Sequence, residues 1–139
     1  MALIEWSPRL QLDVPDMDRD HHRIVDLMVQ LERQSTAGEP RARLDTTFRA
    51  LGETTRTHFA DEERFMQSIA YPEFAAHKVI HTTLLEKFAT HYEAFRTGSA
   101  AKVDSAVFEF LTFWLRSHIS GIDRRYADHV HNGRGAHAK

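Results

Sequence analysis

Four stretches of this chain carry inward-facing positions at alternating steps of three and four residues, and every one of these stripes is interrupted by histidine or a carboxylate. The first runs through Met17, His21, Ile24, Met28 and Leu31. The second takes Phe48, Leu51, Thr55, His58, Glu62, Phe65 and Ile69. The third takes Phe74, His77, His81, Leu84, Phe88, His91 and Phe95, and the fourth Val107, Leu111, Trp114 and His118. Three-and-four spacing places side chains on one face of an α-helix, and such a face must be buried against others. No alternation of useful length suggests a strand. The spacing therefore predicts an all-α fold, an up-down-up-down antiparallel four-helix bundle.

Glycine and proline mark the ends of the stripes. Pro8 and Pro15 set off an extended N-terminal arm over residues 1–18, with Asp16 or Asp18 placed to cap the next helix. Helices are expected over about 19–37, 40–69, 72–97 and 102–130, separated by Gly38 with Pro40, by Tyr71-Pro72 and by Gly98-Ser99. The 139 residues make one domain's worth of sequence.

Composition removes several classes of function. The formal net charge is −2 with both signs dispersed, so the basic patch of a nucleic-acid or acidic-membrane binder is missing. No apolar run approaches the roughly 20 residues that a membrane-spanning helix needs. Residues 1–10 lack the apolar stretch of a signal peptide, and a cytoplasmic location is expected. There is no cysteine, which excludes disulfides, thiolate zinc sites and all-cysteine iron–sulfur clusters. Against that zero stand ten histidines, so a metal site here must use nitrogen and oxygen donors.

The polar residues inside the stripes are the anomaly. A buried, unpaired charge or imidazole costs about several kcal/mol in lost hydration. A single core histidine is commonly satisfied by a neighbour, but six polar interruptions at His21, His58, Glu62, His77, His81 and His118 are harder to dismiss. Their heights in the bundle agree. The midpoint between His21 and the His58/Glu62 pair falls at Pro40. The midpoint between that pair and His77/His81 falls beside Tyr71-Pro72, and that between His77/His81 and His118/Asp123 beside Gly98-Ser99. Each midpoint is an expected turn, so the polar residues form one layer across the bundle.

The pairs His58/Glu62 and His77/His81 are four apart and share a helix face. His118 and Asp123 are five apart. Either Asp123 reaches across, or the helix is locally widened there, with Gly121 allowing some distortion. Five imidazoles and two carboxylates are too many donors for one ion. If both carboxylates bridge two six-coordinate ions and a solvent oxygen joins them, about one coordination position stays open. Nitrogen-rich ligation with oxygen bridges suits iron and does not exclude zinc or manganese.

The residues resemble those of the hemerythrin family, specifically the single-domain bacterial hemerythrins. The resemblance covers nearly the whole chain: Trp6-Ser7, Leu10, Val14-Pro15, Met17-Asp18 and His21; His58-Phe59, Glu62-Glu63 and Met66; Tyr71-Pro72, His77 and His81; Trp114-Leu115, His118-Ile119, Asp123 and Tyr126. The combined HxxxE, HxxxH and HxxxxD spacing is specific, and any one part alone is weak. The resemblance implies a non-haem di-iron centre with an oxo or hydroxo bridge that binds dioxygen reversibly. His77, His81 and His118 would hold one iron. His21 and His58 would hold the other, which keeps the open position, and Glu62 and Asp123 would bridge them. Ile24, Trp114, Leu115 and Ile119 would wall a dry oxygen pocket, although core packing accounts for each equally well.

Several details qualify the match. Asp13 stands where relatives commonly have glycine. His21-His22 is a doublet, and the stripe selects His21. His91 is expected as a structural histidine or a bundle-end group, Glu63 in solvent, and His129, His131 and His137 on the surface or tail. Tyr126 could hydrogen-bond to a ligand or simply pack. The implied role is oxygen storage, transport or delivery by a monomer to an oxygen-using recipient enzyme, without catalysis of its own. The alternatives are an oxygen or redox sensor and a di-iron enzyme handling peroxide or nitric oxide.

Overall fold

The four stripes fold as four helical rods in a computed structural model that describes residues 6–137, with side chains as far as Asn132. Residues 1–5 of the expected arm, and the His137 side chain, lie outside the described residues. The rods form an antiparallel four-helix bundle, and no strand occurs among the described residues. Helix α1 spans Pro15–Thr36, α2 Arg41–Ser68 and α3 Phe74–Thr97. The fourth rod has three joined parts: α4, Ser105–Phe113; a π-helical stretch, Trp114–Asp123; and α5, Arg124–His137. No helix among the described residues is long and apolar enough to cross a membrane.

Two helix starts differ from expectation by three residues or more, while α2 and α3 begin one and two residues later than expected. α1 begins at Pro15, not near residue 19, because a proline at the first helical position loses no hydrogen bond and already has a helical φ. Neither Asp16 nor Asp18 is the N-cap residue, which is Val14. The Asp18 carboxylate instead turns back and accepts from the backbone N–H groups of Leu12 (2.8 Å) and Val14 (3.2 Å). The fourth rod begins at Ser105, not 102, because the Asp104 carboxylate accepts from the Ala106 N–H at 2.9 Å and caps it there. It continues to His137, past the expected end near 130.

The arm is shorter than expected and well anchored. Ser7 starts a 3₁₀ turn over Pro8–Leu10, and the arm buries Leu10, Leu12 and Val14. Arg124 donates to the carbonyls of Arg9 and Gln11, and His131 Nε2 lies 2.9 Å from the Leu12 carbonyl oxygen. His131 is thus half-buried against the arm and is not a free surface group. Asp13 has φ +59°, which explains why glycine suits this position.

The core has two apolar parts. The larger contains Ile24, Met28, Phe48, Leu51, Phe59, Leu111, Trp114, Leu115 and Ile119. The smaller contains Leu12, Met17, Met66, Tyr71 and Tyr126. Along α1, His21 sits between Met17 and Ile24; along α2, Glu62 sits between Phe59 and Met66. The polar layer therefore separates the two apolar parts.

Candidate metal centre

All four rods contribute to the polar layer. α1 supplies His21, α2 supplies His58 and Glu62, and α3 supplies His77 and His81. His118 and Asp123 come from the π-helical stretch. In an α-helix five residues overshoot one turn by about 140°, which would part them. The wider turn brings both to one face, with His118 Nε2 3.0 Å from Asp123 Oδ1. Of the two possibilities open in the sequence, the helix is widened. Gly121 is not what makes room, since a Cβ there would meet nothing within 4 Å.

The two carboxylates divide the imidazoles into two sets. Glu62 Oε1 lies 2.9 Å from His81 Nε2 and 3.3 Å from His77 Nε2. Its other oxygen, Oε2, lies 3.1 Å from His58 Nε2 and 3.6 Å from His21 Nε2. Asp123 repeats the division. Oδ1 is 2.9 Å from His77 Nε2 and 3.0 Å from that of His118, whereas Oδ2 is 3.3 Å from His21 Nε2. Donor atoms of Glu62, His77, His81, His118 and Asp123 all lie within 4.8 Å of one another, as do those of His21, His58 and Glu62.

These donors fit metal ions better than they fit one another. The Nε2 atoms of all five histidines, Glu62 Oε1 and both Asp123 oxygens are buried and make no hydrogen bond. They approach closely without the alignment a hydrogen bond requires. Unpaired buried polar atoms cost about 1–3 kcal/mol each, and one layer concentrates them. The group is able to hold a metal.

Without metal, protons take over the charge balance. Burial alone would lower the His58 pKa, but Glu62 and Asp20 outweigh it and raise the pKa to about 10. Burial also opposes protonation of His77, and Asp123 and Glu62 together raise its pKa to about 9. His21 is raised by Asp123 and Glu62 against the same burial. Burial would push Glu62 and Asp123 upward. Glu62 is held well below the usual range by His58, His21 and His77, and Asp123 is lowered by His118 and His21.

Outward from the ring nitrogens, two carboxylates hold two of the histidines. Asp20 Oδ2 lies 3.1 Å from His58 Nδ1. Glu63 Oε2 lies 2.9 Å from His81 Nδ1. The Glu63 side chain is 21% exposed, so the expectation of a solvent-facing Glu63 is corrected: its carboxylate crosses from α2 to His81 on α3. Asp20 does not stand out in the sequence, where an acidic residue beside a stripe looks like any helix surface charge. Tyr126 is buried and donates to Glu62 Oε2 at 2.8 Å. Burial, Glu62 and Asp123 all push its phenol pKa far upward.

The other candidates lie around this layer. Ile24, Trp114, Leu115 and Ile119 are buried in the larger apolar part. The Trp114 ring stacks on His118 with centroids 5.9 Å apart. Phe59, notable in the sequence only as His58's neighbour, stacks on His81 at 3.8 Å. His22 faces away and stacks on Trp6 at 3.4 Å. His91 lies beside Phe110, with ring centroids 5.2 Å apart, outside the polar layer.

Comparison with known proteins places this geometry in a family. A family model for the hemerythrin HHE cation binding domain matches residues 12–130. Bacteriohemerythrin of Stenotrophomonas maltophilia is 32% identical over 130 residues, covering 94% of this chain and 83% of the relative. That of Methylococcus capsulatus is 32% identical over 127 residues, covering 91% of this chain and 95% of the relative. The crystal structure of a wild-type hemerythrin superposes with a TM-score of 0.81 at 31% identity, over 91% of this chain and 96% of the other.

Proposed function

The chain belongs to the hemerythrin family, and from that premise we propose that it binds dioxygen reversibly at a pair of iron ions. His77, His81 and His118 would hold one ion, His21 and His58 would hold the other, and Glu62 and Asp123 would each offer an oxygen to both. The observation that carries this reading is the division of carboxylate oxygens. Each carboxylate turns one oxygen toward the three-histidine set and the other toward the two-histidine set. A single-ion site has no use for that arrangement. The unequal sets leave the His21/His58 side poorer in ligands, so an ion held there would supply the exchangeable position.

When bound, the iron pair supplies two one-electron reducing equivalents and an exchangeable position. The protein's own residues do the rest. Asp20 and Glu63 fix the outer nitrogens of His58 and His81, so that Nε2 of each ring faces inward. Ile24, Trp114, Leu115 and Ile119 keep water away, which favours release of dioxygen unchanged. Five imidazoles against two carboxylates favour binding over turnover, since oxidases of this architecture use carboxylate-rich sites. Residues 1–139 would act as one domain, a cytoplasmic monomer that stores oxygen or passes it to an oxygen-using enzyme.

The test is optical. Iron-loaded protein is reduced without oxygen, exposed to oxygen, and then returned to inert gas. A visible charge-transfer band that appears with oxygen and vanishes on its removal is the expected result. Irreversible conversion to the ferric protein would overturn the carrier reading and favour a redox sensor or an enzyme.

A further inference from the structure

Tyr126 occupies a place that packing alone does not explain. Its ring is fully buried in the smaller apolar part, against Phe65 at 5.7 Å, Tyr71 at 6.5 Å and His77 at 5.8 Å between centroids. A phenylalanine would satisfy those contacts. The hydroxyl instead makes one hydrogen bond among the described residues, donated at 2.8 Å to Oε2 of Glu62. The choice of oxygen is informative. Oε2 is the Glu62 oxygen turned toward His21 and His58, while Oε1, turned toward His77 and His81, receives no hydrogen bond. The phenol therefore acts on one side of a shared ligand.

We propose that Tyr126 is a positioning residue that weakens the Glu62 oxygen serving the His21/His58 ion and so makes the two ions unequal. The inference rests on the two-iron reading. A carboxylate oxygen that accepts a hydrogen bond has less charge to give a metal. The ion it serves is then less stabilised in its higher charge state and returns more readily to the ferrous form. That is the state the open-side ion must regain each time dioxygen leaves. The hydrogen bond also fixes the Glu62 carboxylate plane, keeping Oε1 for the three-histidine side.

The test compares the wild type with Tyr126→Phe, both loaded with iron under inert gas, by metal analysis and spectroelectrochemical titration. Phenylalanine keeps the ring and removes only the donor. The expected result is an unchanged two ions per chain and a downward shift of the midpoint potential. A fluorinated tyrosine at position 126, a stronger donor of nearly the same shape, is expected to shift the potential upward, and it carries the test alone if Tyr126→Phe does not fold. Two ions per chain with no shift in the folded variants overturns the role of Tyr126 and leaves the two-iron reading intact. A wild type that binds fewer than two ions overturns the two-iron reading itself.

Discussion

Oδ2 of Asp20 lies 3.1 Å from Nδ1 of His58, so an acidic side chain of α1 fixes which nitrogen of an α2 histidine points to the centre. Glu63 does the same for His81 from α2 to α3, at 2.9 Å. The two carboxylates thus serve opposite sides of the polar layer.

Loss of either anchor is expected to weaken metal binding on its own side. Removing an outer partner of a ligating histidine typically costs about 10–100-fold in affinity. On the two-iron reading, Asp20→Ala is expected to lower affinity at the His21/His58 side by about that factor and leave the other side's affinity unchanged, with Glu63→Ala doing the converse. Competition between the protein and a chromophoric chelator for zinc resolves the two steps. Equal weakening of both steps in both variants would show that the anchors merely stabilise the fold.

Metal loading is expected to release protons. The raised pKa values, about 10 for His58 and about 9 for His77, mean that both rings carry protons in the metal-free protein at neutral pH. A ligating imidazole must be neutral, so binding expels those protons and affinity rises with pH up to the raised values. The sign for stability comes from the same shifts. In the metal-free protein the imidazolium–carboxylate contribution is full below about 6.5, the unfolded value. It is lost as pH climbs through about 9 and about 10. Zinc titration in weak buffer with an indicator dye measures the release. Thermal melts at neutral and alkaline pH compare metal-free with loaded protein, and only the former should lose stability.

Much of this architecture was legible because helix periodicity and turn residues agreed. His21, His58, Glu62, His77 and His81 fall on three-and-four stripes, and reflection about Pro40, Tyr71-Pro72 and Gly98-Ser99 gave their common height. The widened turn was legible only as a discrepancy: a spacing of five at His118 and Asp123 shows that something departs from an α-helix but not what. Asp20 and Glu63 were not legible in their roles. An acidic residue beside a stripe reads as surface charge until a facing helix is known, and only tertiary packing sets Asp20 against α2. Start positions failed where a local side chain overrode periodicity, as Pro15 and Asp104 did.

The ends of α1 and α2 offer a matched comparison. After α1, Glu39 N–H bonds to the Gln34 carbonyl at 3.1 Å and Gly38 N–H to that of Ser35 at 3.2 Å, with Gly38 at φ +71°. After α2, Tyr71 N–H bonds to the Met66 carbonyl at 2.9 Å and Ala70 N–H to that of Gln67 at 3.1 Å, with φ +52° at Ala70. Both are the same helix-ending motif, but the second puts a Cβ in the left-handed region at a cost of about 1–2 kcal/mol. Glycine recovers this less the entropy it adds to the unfolded chain, roughly 0.4–1 kcal/mol. Ala70→Gly is therefore expected to stabilise the protein by up to about 1.5 kcal/mol. Chemical denaturation of metal-free protein checks it, and a destabilised variant would show that the turn needs the alanine methyl.

The π-helical stretch makes a sharper prediction. A helix that gains one residue without rotating its C-terminal portion must widen one turn, and removing one residue should close it again. Deleting Gly121 would leave His118 and the next aspartate four apart, the spacing with which His58 and Glu62 share a face on α2. Arg124 and Tyr126 would keep their places on Arg9, Gln11 and Glu62, because the rest of the rod need not rotate. The deletion variant is accordingly expected to remain helical and to bind as many metal ions as the wild type. Gly121→Ala is the companion. With open space around its Cβ, it should keep the wide turn, bind as many ions as the wild type, and gain up to about 1 kcal/mol from helix propensity. Metal analysis and circular dichroism read both variants. A deletion variant that stays helical but loses an ion would mean that the width of the turn itself, and not only the shared face, sets the reach of His118 and Asp123.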